Sequence, residues 1–200
     1  MGSNVYLENI KTYGYQTESA STQIDVDIDP IDGKRVAIRS FGMTCGATAT
    51  TVTFMQALGE TTTTAAVASN ATTGFIGTAE FQTSDNAIAT GDYIAIELDD
   101  GTYQYTTVAT GSYDDFSISA ALTDTVAAGN KVWGFGLYSD SQATGGHIRY
   151  YLTASTSHTE DLDGGIFYGA AKGYPMKAWH ANDAAAAGSV DWITVEYINK

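Results

Sequence analysis

Short stretches in which apolar and polar residues alternate run along most of the chain, separated by clusters of Thr, Ala, Gly, Ser and Asn. No window of helical length keeps an apolar stripe at i, i+3, i+4 and i+7, so the pattern favours strands over helices. It predicts strands near 23–29, 34–41, 50–58, 73–81, 92–98, 102–109, 115–121, 131–138, 147–153, 165–169, 175–181 and 189–198. Short strands at this spacing are typical of antiparallel sandwiches and barrels.

We therefore predict an all-β fold: an antiparallel β-sandwich or jelly-roll-like domain with a small β-barrel-like insertion and an extended N-terminal arm. The β domain is expected over residues 23–200, with 72–138 as a compact β subdomain within it. The phrases ATGDYI and AAGNKV each lead from a glycine turn into a strand of this subdomain. The low-complexity run 59–74 is expected to be the connection into it.

Residues 1–22 differ from the rest, because their apolar side chains follow no clear period. One interpretation is a frayed terminus, with Met1-Gly2-Ser3 left over from expression. The other is an extended arm that becomes ordered on a partner and uses its apolar residues as anchors. The anchors would be Val5, Tyr6, Leu7, Ile10, Tyr13 and Tyr15.

The stretch GDYIAIELDDGTYQYTTV, residues 91–108, holds four carboxylates and three tyrosines. Asp100-Gly101 is a strong signal for a two-residue hairpin of type I′, which needs positive φ at both central positions. Pairing outward from that turn sets Leu98 opposite Tyr103 and predicts one apolar face and one face that is exposed to solvent. The apolar face would carry Ile94, Ile96, Leu98, Tyr103 and Tyr105. The carboxylates then belong to the turn and the wet face, not to an active site.

Two other acidic segments suggest metal sites at first sight. In QIDVDIDPIDG, residues 23–33, Asp25, Asp27 and Asp29 recur every second position, but the Gly and Glu of a calcium-binding EF-hand loop are missing. The simpler account is a strand with its carboxylates outward. His158 and the acids of HTEDLD, residues 158–163, lack a second nearby histidine. We expect a polar loop there, and no metal or cofactor.

Composition excludes several classes of function. The chain has 23 acidic and 9 basic residues, a net charge of −14, which opposes binding to nucleic acid and to anionic membranes. Cys45 is the single cysteine, so an internal disulfide is excluded. The sequence shows no signal peptide and no apolar run of membrane-spanning length.

No catalytic residues are predicted. G-x-S-x-G, S-x-x-K and phosphate-binding glycine loops are all absent from the sequence. We expect that the protein is not an enzyme, although a pair of glycosidase carboxylates that meet only in space stays open.

The tryptophans add candidate contacts. Trp133 shares a predicted strand face with Phe135 and Leu137, which suits a buried aromatic row. Trp179 shares its face with Lys177, so partial exposure is expected there. An exposed tryptophan suits an interface or a platform for a sugar. We therefore add Trp179 to the predicted partner-binding residues.

The phrases ATGDYIAIELDDGTYQYTTV, AAGNKVWGFGL and AAAAGSVDWITVEYINK stand in an acidic, Thr/Ala/Gly-rich chain that is short of Lys and Pro. In this combination the chain resembles virion structural proteins of tailed bacteriophages, in particular capsid decoration (cement) proteins. The resemblance implies a β-sandwich or barrel protein, often trimeric, on the capsid exterior. It would be made in the host cytoplasm and would clamp neighbouring major capsid subunits, commonly with an extended terminal arm. No site residues carry over.

Two alternatives stay open at this point. One is a carbohydrate- or receptor-binding module of a tail fibre. The 13 tyrosines and Trp179 favour this alternative. The other is a tail-tube or baseplate component, which would favour rings or tubes over trimers.

Overall fold

The computed structural model describes residues 10–13, 16–17, 24–47, 49–76, 90–112, 115–136, 147–162, 167–169, 171–180 and 189–199. Within these ranges every regular element is a strand and every strand pair is antiparallel, so the predicted all-β, sandwich-like fold class is confirmed. The chain divides into two compact units, Met1–Gln56 with His147–Lys200 and Ala57–Gly146.

The first unit is a sandwich of two sheets. Its strands are β1 (Ile10–Tyr13), β2 (Gln16–Thr17), β3 (Ile24–Ile28), β4 (Arg35–Thr44), β5 (Thr50–Gln56), β12 (His147–Leu152), β13 (Ser157–Asp161), β14 (Phe167–Tyr168), β15 (Met176–His180) and β16 (Ser189–Ile198). One sheet has the order β1-β16-β4-β13, with β2 beside β16 and β14 beside β4. The other has the order β12-β5-β15-β3.

The pairing of β4 with β16 forms the centre of the first sheet, because each strand has ten residues and they are paired over most of that length. Apolar residues alternate along both strands and face the second sheet. Burying such a face against another sheet is what makes a sandwich stable. The buried core contains Val26, Ile28, Val36, Ile38, Phe41, Met43, Cys45, Val52, Phe54, Met176, Ala178, Val190, Ile193, Val195 and Tyr197.

The second unit is one curled sheet. Its strands are β6 (Gly59–Thr62), β7 (Phe75–Ile76), β8 (Tyr93–Glu97), β9 (Tyr103–Ser112), β10 (Asp115–Ile118) and β11 (Lys131–Gly136), in the order β6-β11-β8-β9-β10-β7. The two edge strands belong to one segment, 59–76, which runs antiparallel to 115–134. At the two ends of this segment, β6 pairs with β11 and β7 pairs with β10. Between these pairs, Val67 forms a β-bridge with Val126, and the Ala71 carbonyl accepts a hydrogen bond from Leu122 N at 3.0 Å. This segment curls the sheet over its own core.

The unit begins before the predicted start at residue 72, since β6 pairs with β11 and is not a mere connection. Its core is formed by Val67, Phe75, Ile94, Ile96, Leu98, Val108, Phe116, Ile118, Leu122, Val126 and Val132. Trp133 and Phe135 are also fully buried, as the aromatic-row prediction required, while Leu137 lies outside the described residues.

The β8–β9 hairpin corrects the predicted register by one residue. Glu97 lies opposite Tyr103 and Ile94 opposite Thr106, so the two tyrosines share a face with Glu97 and Ala95. The loop is longer than predicted: Gly101 N donates to Leu98 O at 3.1 Å, Leu98 N donates to Thr102 O at 2.9 Å, and Gly101 has φ 81°. This is a turn followed by a left-handed glycine bulge, in which Asp100 keeps negative φ. A slip of one residue turns each side chain of β9 to the other face.

Within the part of the chain that the structure describes, the other predicted strands agree with it in position, and β1, β2, β6 and β13 were not predicted. Strand β13 occupies the segment that was predicted to be a polar loop around His158. Of the predicted arm over 1–22, Ile10–Tyr13 and Gln16–Thr17 pair with β16 of the same chain, and the remainder lies outside the described residues.

We expect Gly101→Ala to destabilise the protein by about 1 kcal/mol, because Ala is strained in the left-handed region. Gly101→Asn is the matched control, since Asn tolerates that conformation and should cost clearly less. Urea unfolding of both variants measures the difference. Equal losses for Ala and Asn would contradict the glycine-bulge loop.

Candidate interaction surface

Strand β1 is fastened to the sandwich through a chain of hydroxyl contacts. Tyr13 lies opposite Ile193 and packs against the core. Its Oη is 3.1 Å from Tyr197 Oη, and Tyr197 Oη donates to the carbonyl oxygen of Asp29 at 2.9 Å. Because the single proton of Tyr197 goes to Asp29, Tyr13 must be the donor in the contact between the two phenols. Residues far apart in the sequence therefore hold the edge strand in place.

Burial is the main cause that raises the pKa of Tyr13 well above its ordinary value, and the hydrogen bond that Tyr13 donates to Tyr197 raises it further. Burial also raises the pKa of Tyr197. The negative charge of Asp29 acts on both phenols in the same direction. The contact thus requires both tyrosines in their neutral form.

The outward side of β1 is open to solvent. Ile10 is 42% exposed and lies opposite Glu196 of the neighbouring strand. The Glu196 carboxylate forms an ion pair with the guanidinium of Arg39. Lys11 Nζ lies 4.6 Å from the Tyr13 ring centroid and 3.9 Å from Asp29 Oδ2. Within the described residues β1 is the last strand of its sheet, so its outer edge is available for another strand.

The predicted partner-binding residues are thus placed unequally. Ile10 is exposed on β1, whereas Tyr13 is half-buried and serves the sandwich itself. Trp179 lies in β15, opposite Asp25 and Thr53, but its side chain lies outside the described residues. The other predicted anchors, Val5, Tyr6, Leu7 and Tyr15, also lie outside them.

A second feature of this sheet was not predicted. Trp192 lies half-buried over Gly42, opposite the core face, and a Cβ at Gly42 would come within 2.8 Å of Trp192 Cε2. A bulge between Val190 and Trp192 places Asp191 beside the ring, where its carboxylate accepts Thr44 Oγ1 at 2.9 Å and Ser189 Oγ at 2.6 Å. The sequence signal that could have pointed to it is Gly42, because a glycine within a strand allows another group to approach the backbone closely.

The opposite side of the sandwich is closed by aromatic contacts between β12 and β13. The ring centroids of Tyr150 and His158 are 5.8 Å apart, and both rings lie against Phe41. His158 Nε2 is 3.4 Å from Glu160 Oε2. Among the described residues no group of three or more His, Cys, Asp or Glu is arranged to hold a metal ion.

The carboxylates of the β8–β9 hairpin act within the fold. The Asp99 carboxylate accepts hydrogen bonds from Thr125 Oγ1 at 2.6 Å, Ala127 N at 2.7 Å and Asn130 Nδ2 at 3.0 Å. These bonds lower the pKa of Asp99, and the bond from Thr125 has the largest effect. Asp100 accepts the hydroxyl and the backbone N–H of Thr102, which lowers its pKa too. Both groups fix loops, as the sequence indicated.

Strand β3 has the predicted inward Val26 and Ile28, which are fully buried. Asp27 on its other face binds the ammonium of Lys177 at 2.7 Å, and Lys177 is buried. The sequence predicted that the face of β15 with Lys177 and Trp179 is partly exposed, and this prediction is wrong at Lys177. A buried lysine needs such a carboxylate partner, because an unpaired charge is costly out of water.

No protein-family model matches the chain, and no curated protein matches it. Two solved structures resemble it weakly, one of infectious bursal disease virus, Gt strain, and one of the VP2 subviral particle of the same virus. Identity is 11% and 13%, TM-score is 0.14 and 0.15, and each match covers 94% of this chain but only 40% and 41% of the other. The chain spans about two fifths of these proteins, and likeness at this level carries no argument about function.

No helix long and apolar enough to cross a membrane occurs among the described residues.

We expect the stability of the protein to fall as the pH rises above about 10, the ordinary pKa of tyrosine. Because folding raises the pKa of Tyr13 and Tyr197, the unfolded chain releases these protons first, so their contribution is complete below that pH and is lost above it. Tyr13→Phe should give a shallower fall, measured by urea unfolding between pH 8 and 11. Tyr151→Phe, at a residue 80% exposed, is the control. Identical slopes for all three proteins would contradict this account.

Proposed function

We propose that the protein is a structural virion protein that decorates a phage capsid and stabilises it by binding neighbouring major capsid subunits, as a homotrimer. The observation that carries the proposal is the exposed edge strand β1, which presents Ile10 to solvent while Tyr13 fastens it to the sandwich. Such an edge can take up a strand from a partner through backbone hydrogen bonds. The resemblance of the sequence to decoration proteins supports the same conclusion.

The physical logic of decoration fits an all-β scaffold. A protein that binds only the assembled shell stabilises that shell by its binding free energy, and it needs contact area for this, not catalysis. The carboxylates with described partners hold loops and strands of this chain, as at Asp27 and Asp99. The excess negative charge would keep decorated particles apart in solution.

A different observation favours the second candidate, a carbohydrate-binding module of a tail fibre. Trp192 packs closely on Gly42, and the carboxylate of the preceding residue, Asp191, accepts a hydrogen bond from Thr44. An aromatic surface beside polar groups suits a ligand that has both apolar and hydroxyl faces. Binding of a glycan panel that is lost in Trp192→Ala would favour this function over decoration.

The direct test is binding to undecorated, expanded heads, measured by co-sedimentation. Ile10→Asp should weaken binding about tenfold or more, because an exposed apolar side chain is replaced by a charge that resists burial. Ile31→Asp is the matched control: Ile31 is 45% exposed but lies outside β1, and binding should be unchanged. Deleting residues 2–9 tests the preceding segment without removing β1.

If Ile10→Asp binds heads as tightly as the unaltered protein does, β1 is not part of the contact. Failure of the unaltered protein to bind heads at all would overturn the decoration proposal itself.

A further inference from the structure

The β8–β9 loop contains a dipeptide that is chemically labile. In an Asp-Gly pair the backbone nitrogen of the glycine can attack the side-chain carbon of the aspartate, because glycine has no Cβ to obstruct the approach. The sequence has three such pairs, at 32–33, 100–101 and 163–164. Asp100 and Gly101 are both exposed, so the pair at 100–101 is open to water.

The reaction at this pair has two steps. In the first, Gly101 N forms a bond to Asp100 Cγ, the bond from Cγ to the carboxyl hydroxyl breaks, and the hydroxyl leaves as water with the amide proton of Gly101. In the second, water opens the resulting succinimide ring at either carbonyl. Opening at Cγ restores aspartate, whereas opening at the main-chain carbonyl leaves isoaspartate, in which the backbone runs through Cγ. The net change is an isomerisation that needs only water.

The loop both favours the glycine and restrains its nitrogen. Gly101 has φ 81°, in the left-handed region where glycine is not strained. Its N–H donates to the Leu98 carbonyl at 3.1 Å. The nitrogen that attacks in the first step is therefore held toward Leu98, and it must leave this hydrogen bond before the ring can close.

Thr102 holds the other reacting group. Oδ1 of Asp100 accepts hydrogen bonds from the backbone N–H of Thr102 at 2.8 Å and from its hydroxyl at 2.6 Å. A bond from an aspartate to the backbone two residues further on is an Asx turn. Ring closure draws Cγ onto Gly101 N and breaks both bonds. The bond from the Thr102 hydroxyl, and then the bond from its N–H, also lower the pKa of Asp100, so the carboxyl lacks the proton with which its oxygen leaves.

We propose that Asp100 is a latent site of isoaspartate formation and that Thr102 keeps it closed in the folded protein. Conversion would add a methylene to the main chain between Leu98 and Thr102, whose backbone hydrogen bond at 2.9 Å closes the hairpin. The longer chain no longer fits the register of β8 and β9, so the hairpin depends on this protection. The protection belongs to the loop alone and needs neither a capsid nor a partner.

The test measures isoaspartate at each Asp-Gly pair by peptide mapping during incubation at neutral pH. Thr102→Val keeps the branched shape of the side chain and removes its hydroxyl, so isoaspartate at Asp100 should form about threefold faster or more. Thr102→Ser is the matched control, since it keeps the hydroxyl and should convert as slowly as the unaltered protein. In the urea-unfolded chain, which lacks both bonds, conversion should be about tenfold faster than in the folded protein.

The pair at 32–33, measured in the same digest, separates a local effect from loss of the fold. Release of the Asp100 carboxylate speeds conversion at 100–101 alone, whereas unfolding of a variant speeds it at both pairs. Four results would each overturn the proposal: equal rates at Asp100 in the folded and the urea-unfolded protein, no acceleration in Thr102→Val, acceleration at both pairs, or a rate in Thr102→Ser as high as in Thr102→Val.

Discussion

The pairing of β4 with β16 is the interaction on which the sandwich depends. Between them these strands present Val36, Phe41, Ile193 and Val195 to the second sheet, and they separate the edge strands β1 and β13. Two bulges in the pair let a ten-residue strand keep its apolar face inward while Trp192 turns onto Gly42. The core, the edges and the half-buried Trp192 thus follow from one strand pair that joins residues distant in the sequence.

The alternation of residue types was sufficient to predict most strands, because a half-buried strand shows its burial in the sequence. It failed where that pattern is missing. All residues of strand β13 are polar, so they show no alternation. Strand β6 (GETT) also has no apolar alternation, and it forms because it pairs with β11. The register of the β8–β9 hairpin was wrong because Asp100-Gly101 suits two loop types, and only packing chooses between them.

The candidate surface was predictable only in part. The apolar residues of the N-terminal segment were predicted to be anchors for a partner. The sequence could not show that Tyr13 is used within the chain, since its partners Tyr197 and Asp29 come from elsewhere in the fold. The loop roles of Asp99 and Asp100, in contrast, could be predicted from the local rules of turns.

We propose from these features that the protein acts through contacts between β-sheets. The most direct test of that account is a cryo-EM map of virions assembled with this protein, at a resolution that traces strands. The account predicts density for each copy on the capsid exterior, with β1 against a major capsid subunit. Density in the tail, or copies on the head that contact the capsid through surfaces other than β1, would contradict it.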